Sequence, residues 1–112
     1  MNPESSRPQP LAGYRIVDLT TFLSGPFCTQ ILADLGAEVV KVEAPEGDSS
    51  RAIPPHFVGS DSAYYLGINR NKQSVAIDIK QPEGLALVKR LIAEADVVVE
   101  NYRPGVAARI GL

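Results

Sequence analysis

The chain has 112 residues, 45% of them hydrophobic, which is enough for one small domain with a packed core and excludes wholesale disorder. Eleven basic against thirteen acidic residues give a formal net charge of -2. Nucleic-acid binders carry a clustered excess of Lys and Arg instead, so no nucleic-acid partner is expected. The single cysteine, Cys28, excludes an intrachain disulfide framework and a CxxC metal site, and its apolar surroundings predict a buried, inert thiol.

Residues Met1 to Pro10 are rich in proline and polar side chains, which predicts a flexible tail over 1–10 and a folded unit over 11–112. No apolar run is long enough to span a membrane, and the first ten residues lack the apolar segment of a secretory signal. The expectation is a cytoplasmic protein without a membrane partner.

Tyr14-Arg15-Ile16-Val17-Asp18-Leu19 is rich in β-formers and predicts a first strand. Pro26 suits the first turn of a helix, with Ser24 or Gly25 as cap. Phe27, Ile31 and Leu35 recur every four residues, with Cys28 and Leu32 beside them, and predict the buried face of that helix. Gly36 ends it, and Glu38 to Glu43 follows as a second strand, giving a parallel βαβ unit.

From Ala44 to about Tyr64 the pattern dissolves, with a helical turn expected from Ser62 to Ile68. Gln73 to Ile79 alternates and predicts a third strand. Pro82-Glu83 opens a second helix whose buried stripe is Leu85, Val88, Leu91, Ile92 and Ala95. Asp96 to Glu100 is a short apolar strand of the kind covered on both faces, and a last short helix runs from Arg103-Pro104-Gly105 towards Ile110. These elements describe an open, mostly parallel α/β sheet with flanking helices. Four strands make a thin sheet, as expected of an incomplete domain.

Ligands of such sheets bind beyond the carboxyl ends of the strands. That rule selects Thr20 to Gly25, Glu43 to Arg51, Lys80-Gln81 and Glu100 to Gly105. Glu43 falls where a ribose-binding acid would stand, but the GxGxxG turn and the P-loop pattern are both absent. Asn69-Arg70-Asn71-Lys72 reads either as a solvated turn or as a phosphate contact. Arg109 suits either the helix dipole or an anion. The lone His56 cannot build a His-rich zinc site, no GxSxG elbow is present, and no nucleophile has an adjacent base. Catalytic and metal residues are therefore not assigned.

Several segments together resemble the family III CoA-transferases, the group that includes formyl-CoA, carnitine-linked and succinyl-CoA-type transferases and the α-methylacyl-CoA racemases. They are Leu11 to Leu19, Ser24-Gly25-Pro26-Phe27-Cys28, Ala33 to Glu43, Gly47-Asp48 with Arg51, Asn69 to Ser74, Pro82-Glu83-Gly84 and Ala95 to Gly105. The resemblance implies a Rossmann-like large domain that binds coenzyme A, in proteins of several hundred residues forming interlocked homodimers. It implies acyl-CoA and a small carboxylic acid as substrates, with no permanently bound cofactor. Ile77, Lys80, Asn101 and Arg109 are the positions it assigns to CoA. In the family a catalytic aspartate lies beyond the point matching Leu112, so Asp18, Asp34, Asp48 and Asp96 do not take that role. Asp18 is expected to be structural. The alternatives are a racemase, or a truncated CoA-binding module without catalysis. Two departures stand out: Leu23 replaces a glutamine of the oxalate-using members, and Ala44 replaces an arginine, leaving Arg51 as a nearby candidate cation.

Overall fold

A computed structural model describes residues 8–112. Most of the expected tail, residues 1–7, lies outside them. Within the described part Gln9 lies against Gly36, and the backbone N–H of Leu11 bonds to Leu35 O at 2.9 Å.

The elements run β1 (Arg15–Asp18), α1 (Ser24–Asp34), β2 (Glu38–Glu43), a 3-10 turn (Ser49–Ala52), β3 (Phe57–Val58), β4 (Asp61–Ser62), α2 (Ala63–Ile68), β5 (Gln73–Ala76), α3 (Pro82–Ala93), β6 (Val97–Val99) and α4 (Val106–Arg109). Four strands form one parallel sheet in the order β5-β2-β1-β6. Successive strands therefore add outward from β1 to β2 and β5, and the chain then crosses back to place β6 on the other side of β1. That reversal, between β1 and β6, is the switch point at which such sheets open a crevice. The irregular stretch after β2 is partly structured, by the 3-10 turn and the antiparallel β3–β4 pair.

Side chains alternate across each strand, so one strand feeds two cores. Val17, Leu19, Val42 and Ile77 pack with Val88 of α3 on one face. Ile16 and Val39 pack with Ala33 and Ala37 on the face covered by α1. The stripe expected of α3 is seen, with Val88 fully buried and Leu91, Ile92 and Ala95 packed on the first core.

Helix α1 is turned the other way from the sequence expectation. Phe27, Ile31 and Leu35 are 52%, 44% and 40% exposed, whereas Pro26, Thr29, Gln30 and Ala33 are buried. The reason is local. The sheet end beneath the helix carries the buried carboxylate of Asp18, which Thr29 satisfies, while small Ala33 allows close approach to Ile16 and Val39. Cys28, expected inside, is exposed for the same reason. β6 also departs from expectation: it is an edge strand, and Val97 and Val98 are 45% and 38% exposed.

Candidate functional site

The carboxyl ends of β1, β2 and β5 open onto a cleft of about 310 Å³ lined by Leu19, Thr21, Val42, Glu43, Ile77, Lys80 and Tyr102, among others. A second cleft of about 400 Å³ is lined by Ile79, Lys80, Gln81, Pro82, Leu85, Arg109 and Ile110. Lys80 borders both. Ile77 is buried and supplies apolar floor to the first, while Arg109 reaches the second from α4. The Lys80 N–H bonds to Asp78 Oδ1 at 3.1 Å, a short turn that aims residue 80 off the end of β5. Among the described residues neither Lys80 nor Arg109 has an ion-pair partner.

Gly84 makes this edge possible. A Cβ there would stand 1.9 Å from the carbonyl oxygen of Asp78, so only glycine lets the first turn of α3 lie against the loop carrying Lys80.

Asn101 stands at the same edge but lines neither cleft. Its Oδ1 accepts from Thr21 N–H at 3.1 Å and its Nδ2 donates to Thr21 O at 2.8 Å, which ties the loops after β1 and β6 together across the switch point. The structure thus brings Ile77, Lys80 and Arg109 along connected clefts, with Asn101 as a clasp beside them. Tyr102 and Thr21 are lining residues that spacing did not single out, although both lie in segments the strand-end rule selects. Burial, with Glu100 nearby, pushes the Tyr102 hydroxyl above its usual range.

Glu43 is occupied where a ribose would need it. It accepts from Arg51 Nε at 2.8 Å and Nη2 at 2.7 Å, from Asp48 N–H at 2.7 Å, from Tyr65 Oη at 3.0 Å and from Ser74 Oγ. Arg51 is correspondingly committed to Glu43 and Asp61. The Asn69–Lys72 segment is an exposed turn at Arg70 and Asn71, flanked by a buried Asn69 and a buried Lys72 side chain. Arg70 and Asn71 bond to Asp34 at 2.8 and 2.7 Å.

Asp18 is fully buried at the end of β1 and takes the Nζ of Lys72 at 3.0 Å, the hydroxyl of Thr29 at 2.6 Å, and both the hydroxyl and the N–H of Thr20. Beside it, Lys41 Nζ lies 2.9 Å from Asp48 Oδ2. Among the described residues no cluster of three or more His, Cys, Asp or Glu side chains is placed to hold a metal.

The sequence pattern of CoA-transferase family III matches residues 11–112. The chain belongs to that family. Family III relatives include succinyl-CoA:glutarate CoA-transferase of Homo sapiens, 54% identical over 105 residues, covering 93% of this chain and 24% of the relative. Formyl-CoA:oxalate CoA-transferase of Afipia carboxidovorans is 46% identical over 102 residues, covering 90% of this chain and 24% of the relative. Among solved family III structures, a CaiB/BaiF family protein from Brucella suis superposes with a TM-score of 0.89 at 44% identity, covering 95% of this chain and 29% of that one. The chain spans about a quarter of the length of the curated family III relatives it matches. Among the described residues no helix is long and apolar enough to cross a membrane.

Proposed function

We propose that residues 11–112 form the CoA-binding amino-terminal portion of an acyl-CoA:carboxylic acid CoA-transferase, preceded by a tail over residues 1–10. The reading is carried by Lys80, whose position between two clefts joins the apolar floor at Ile77 to the cation of Arg109. An apolar slot beside two unpaired cations suits a ligand with a planar base at one end and phosphates near it. Lys80 and Arg109 pair with phosphate oxygens, Ile77 meets the base, and Asn101 holds the wall of the cleft.

The relatives named above are transferases, and no observation favours the racemase alternative. The chain's own residues bind and orient CoA. The catalytic aspartate belongs to a part of the protein beyond Leu112. Acyl-CoA and a small carboxylic acid are the substrates, no cofactor is permanently bound, and the protein works as a cytoplasmic homodimer. Calorimetric titration of the intact protein with CoA tests the binding half: saturable heat is expected, and no heat at millimolar CoA overturns it.

A further inference from the structure

The loop between β1 and α1 lacks the glycine turn that shapes the corresponding loop of dinucleotide-binding sheets, yet its backbone is held at every exit. Thr20 N–H bonds to Asp18 Oδ1 at 2.9 Å, Thr20 O accepts from Lys41 Nζ at 2.9 Å, and Pro26 O accepts from Lys72 Nζ at 2.9 Å. Thr21 is held by the Asn101 clasp. These partners come from β1, β2, the turn before β5 and the segment after β6. Between them Phe22 is forced to φ 73°, a conformation that aromatic residues avoid unless their surroundings impose it.

Thr20 is the hub. It is fully buried, and a Cβ on Gly25 would fall 2.4 Å from the Thr20 Cβ, so α1 begins directly against it. The charges beneath it are two lysines and two aspartates, all with side chains at most 1% exposed. The cluster is electroneutral and sets up no net attraction for an anion. Buried ion pairs of this kind add little stability over apolar residues of the same shape. What they do supply here is direction, since Lys41 and Asp18 fix the carbonyl and the N–H of one residue.

We propose that Asp18 and Lys41 are positioning residues which, through Thr20, hold Leu19 and Thr21 in the wall of the first cleft and present Thr21 to Asn101. The proposal rests on the CoA reading of that cleft, and it says which residues give the cleft its shape.

The test compares Thr20→Val, which keeps the shape but loses the hydroxyl bond to Asp18, with Thr20→Ser, which keeps that bond. Lys41→Met combined with Asp48→Asn removes the second anchor without leaving an unpaired buried carboxylate. Hydrogen exchange of residues 19–23 and CoA titration are read on the intact protein, well below its melting temperature. Thr20→Val and the Lys41/Asp48 variant should each speed exchange of that segment about tenfold, leave β2 protected, and weaken CoA binding about tenfold. Thr20→Ser should restore both. If the Lys41/Asp48 variant does not fold, the Thr20 pair decides alone. Parental exchange in Thr20→Val overturns the proposal, and so does faster exchange with unchanged CoA affinity. A parent that binds no CoA refutes the functional reading instead, and exchange then decides whether the loop is held.

Discussion

Arg51 closes on Glu43 through two parallel bonds of 2.8 and 2.7 Å, and its guanidinium carbon lies 4.0 Å from the centroid of the Tyr65 ring. Burial pushes the Glu43 carboxyl up, but bonds from Arg51, Ser74, Asp48 N–H and Tyr65 outweigh it and bring the pKa down from 4.5 to about 2. A depressed carboxylate contributes stability that is complete above pH 4.5 and is lost as the pH falls towards 2. Glu43→Gln should therefore lower stability at pH 7 by on the order of 2 kcal/mol. It should also flatten the acid limb between pH 4.5 and 2. Urea melts at stepped pH check both effects.

Gly84→Ala places a methyl group 1.9 Å from Asp78 O and 2.8 Å from Asp78 C, backbone atoms with little room to yield. Stability should fall by about 1–3 kcal/mol, and the displaced loop should carry Lys80 with it. Denaturant melts report the first effect and CoA titration the second. A variant with parental stability and affinity contradicts the close approach.

Asn101→Asp should be worse than Asn101→Ala. Alanine loses both bonds to Thr21, whereas aspartate keeps the acceptor for Thr21 N–H and sets a second oxygen against Thr21 O, where an N–H now donates at 2.8 Å. A lower melting temperature for Asn101→Asp, with weaker CoA binding in both variants, is the expected order.

Lys80→Ala and Arg109→Ala should each weaken CoA binding about tenfold, the usual loss for one charge-assisted contact to phosphate. Titration with dephospho-CoA separates them, because the cation that faces the 3′-phosphate loses its effect on that ligand. Unchanged affinity for CoA and dephospho-CoA in the double variant removes both residues from the site.

The isolated 112-residue chain should bind a hydrophobic dye through α1, whose outward face carries Phe27, Ile31 and Leu35. Phe27→Glu with Ile31→Lys should reduce dye fluorescence and light scattering while leaving the melting temperature within about 2 °C, since neither side chain belongs to a buried core.

The α/β layering was legible because each strand and each long helix carries its own period. Ile16-Val17 and Val39-Val40 read as strands, and the Val88 stripe of α3 reads as a buried face. The strand-end rule selected Lys80-Gln81, and Lys80 does border both clefts off the end of β5, whereas Arg109 lies outside the segments that rule selects and entered through the family resemblance. The α1 stripe misled for a physical reason. Periodicity identifies an apolar face without saying what it faces, and Thr29 was drawn inward by a carboxylate that no helical pattern contains. At Asn69–Lys72 the turn reading holds for the exposed Arg70 and Asn71 but not for Lys72, because a cation near a strand end reads the same whether it meets solvent, phosphate or, as Lys72 does, Asp18 at 3.0 Å.

By itself the sequence determined the order and type of the main elements, the absence of a glycine phosphate turn, and the segments that resemble family III. Only the tertiary structure decided that β1 is central and β6 an edge, that α1 shows its apolar face outward, and that Lys41, Lys72, Asp18 and Asp48 meet under Thr20. Local periods follow from backbone geometry, which each segment carries with it. A bond such as Lys72 to Asp18 joins residues 54 positions apart, and no spacing encodes it until the sheet brings their strands together.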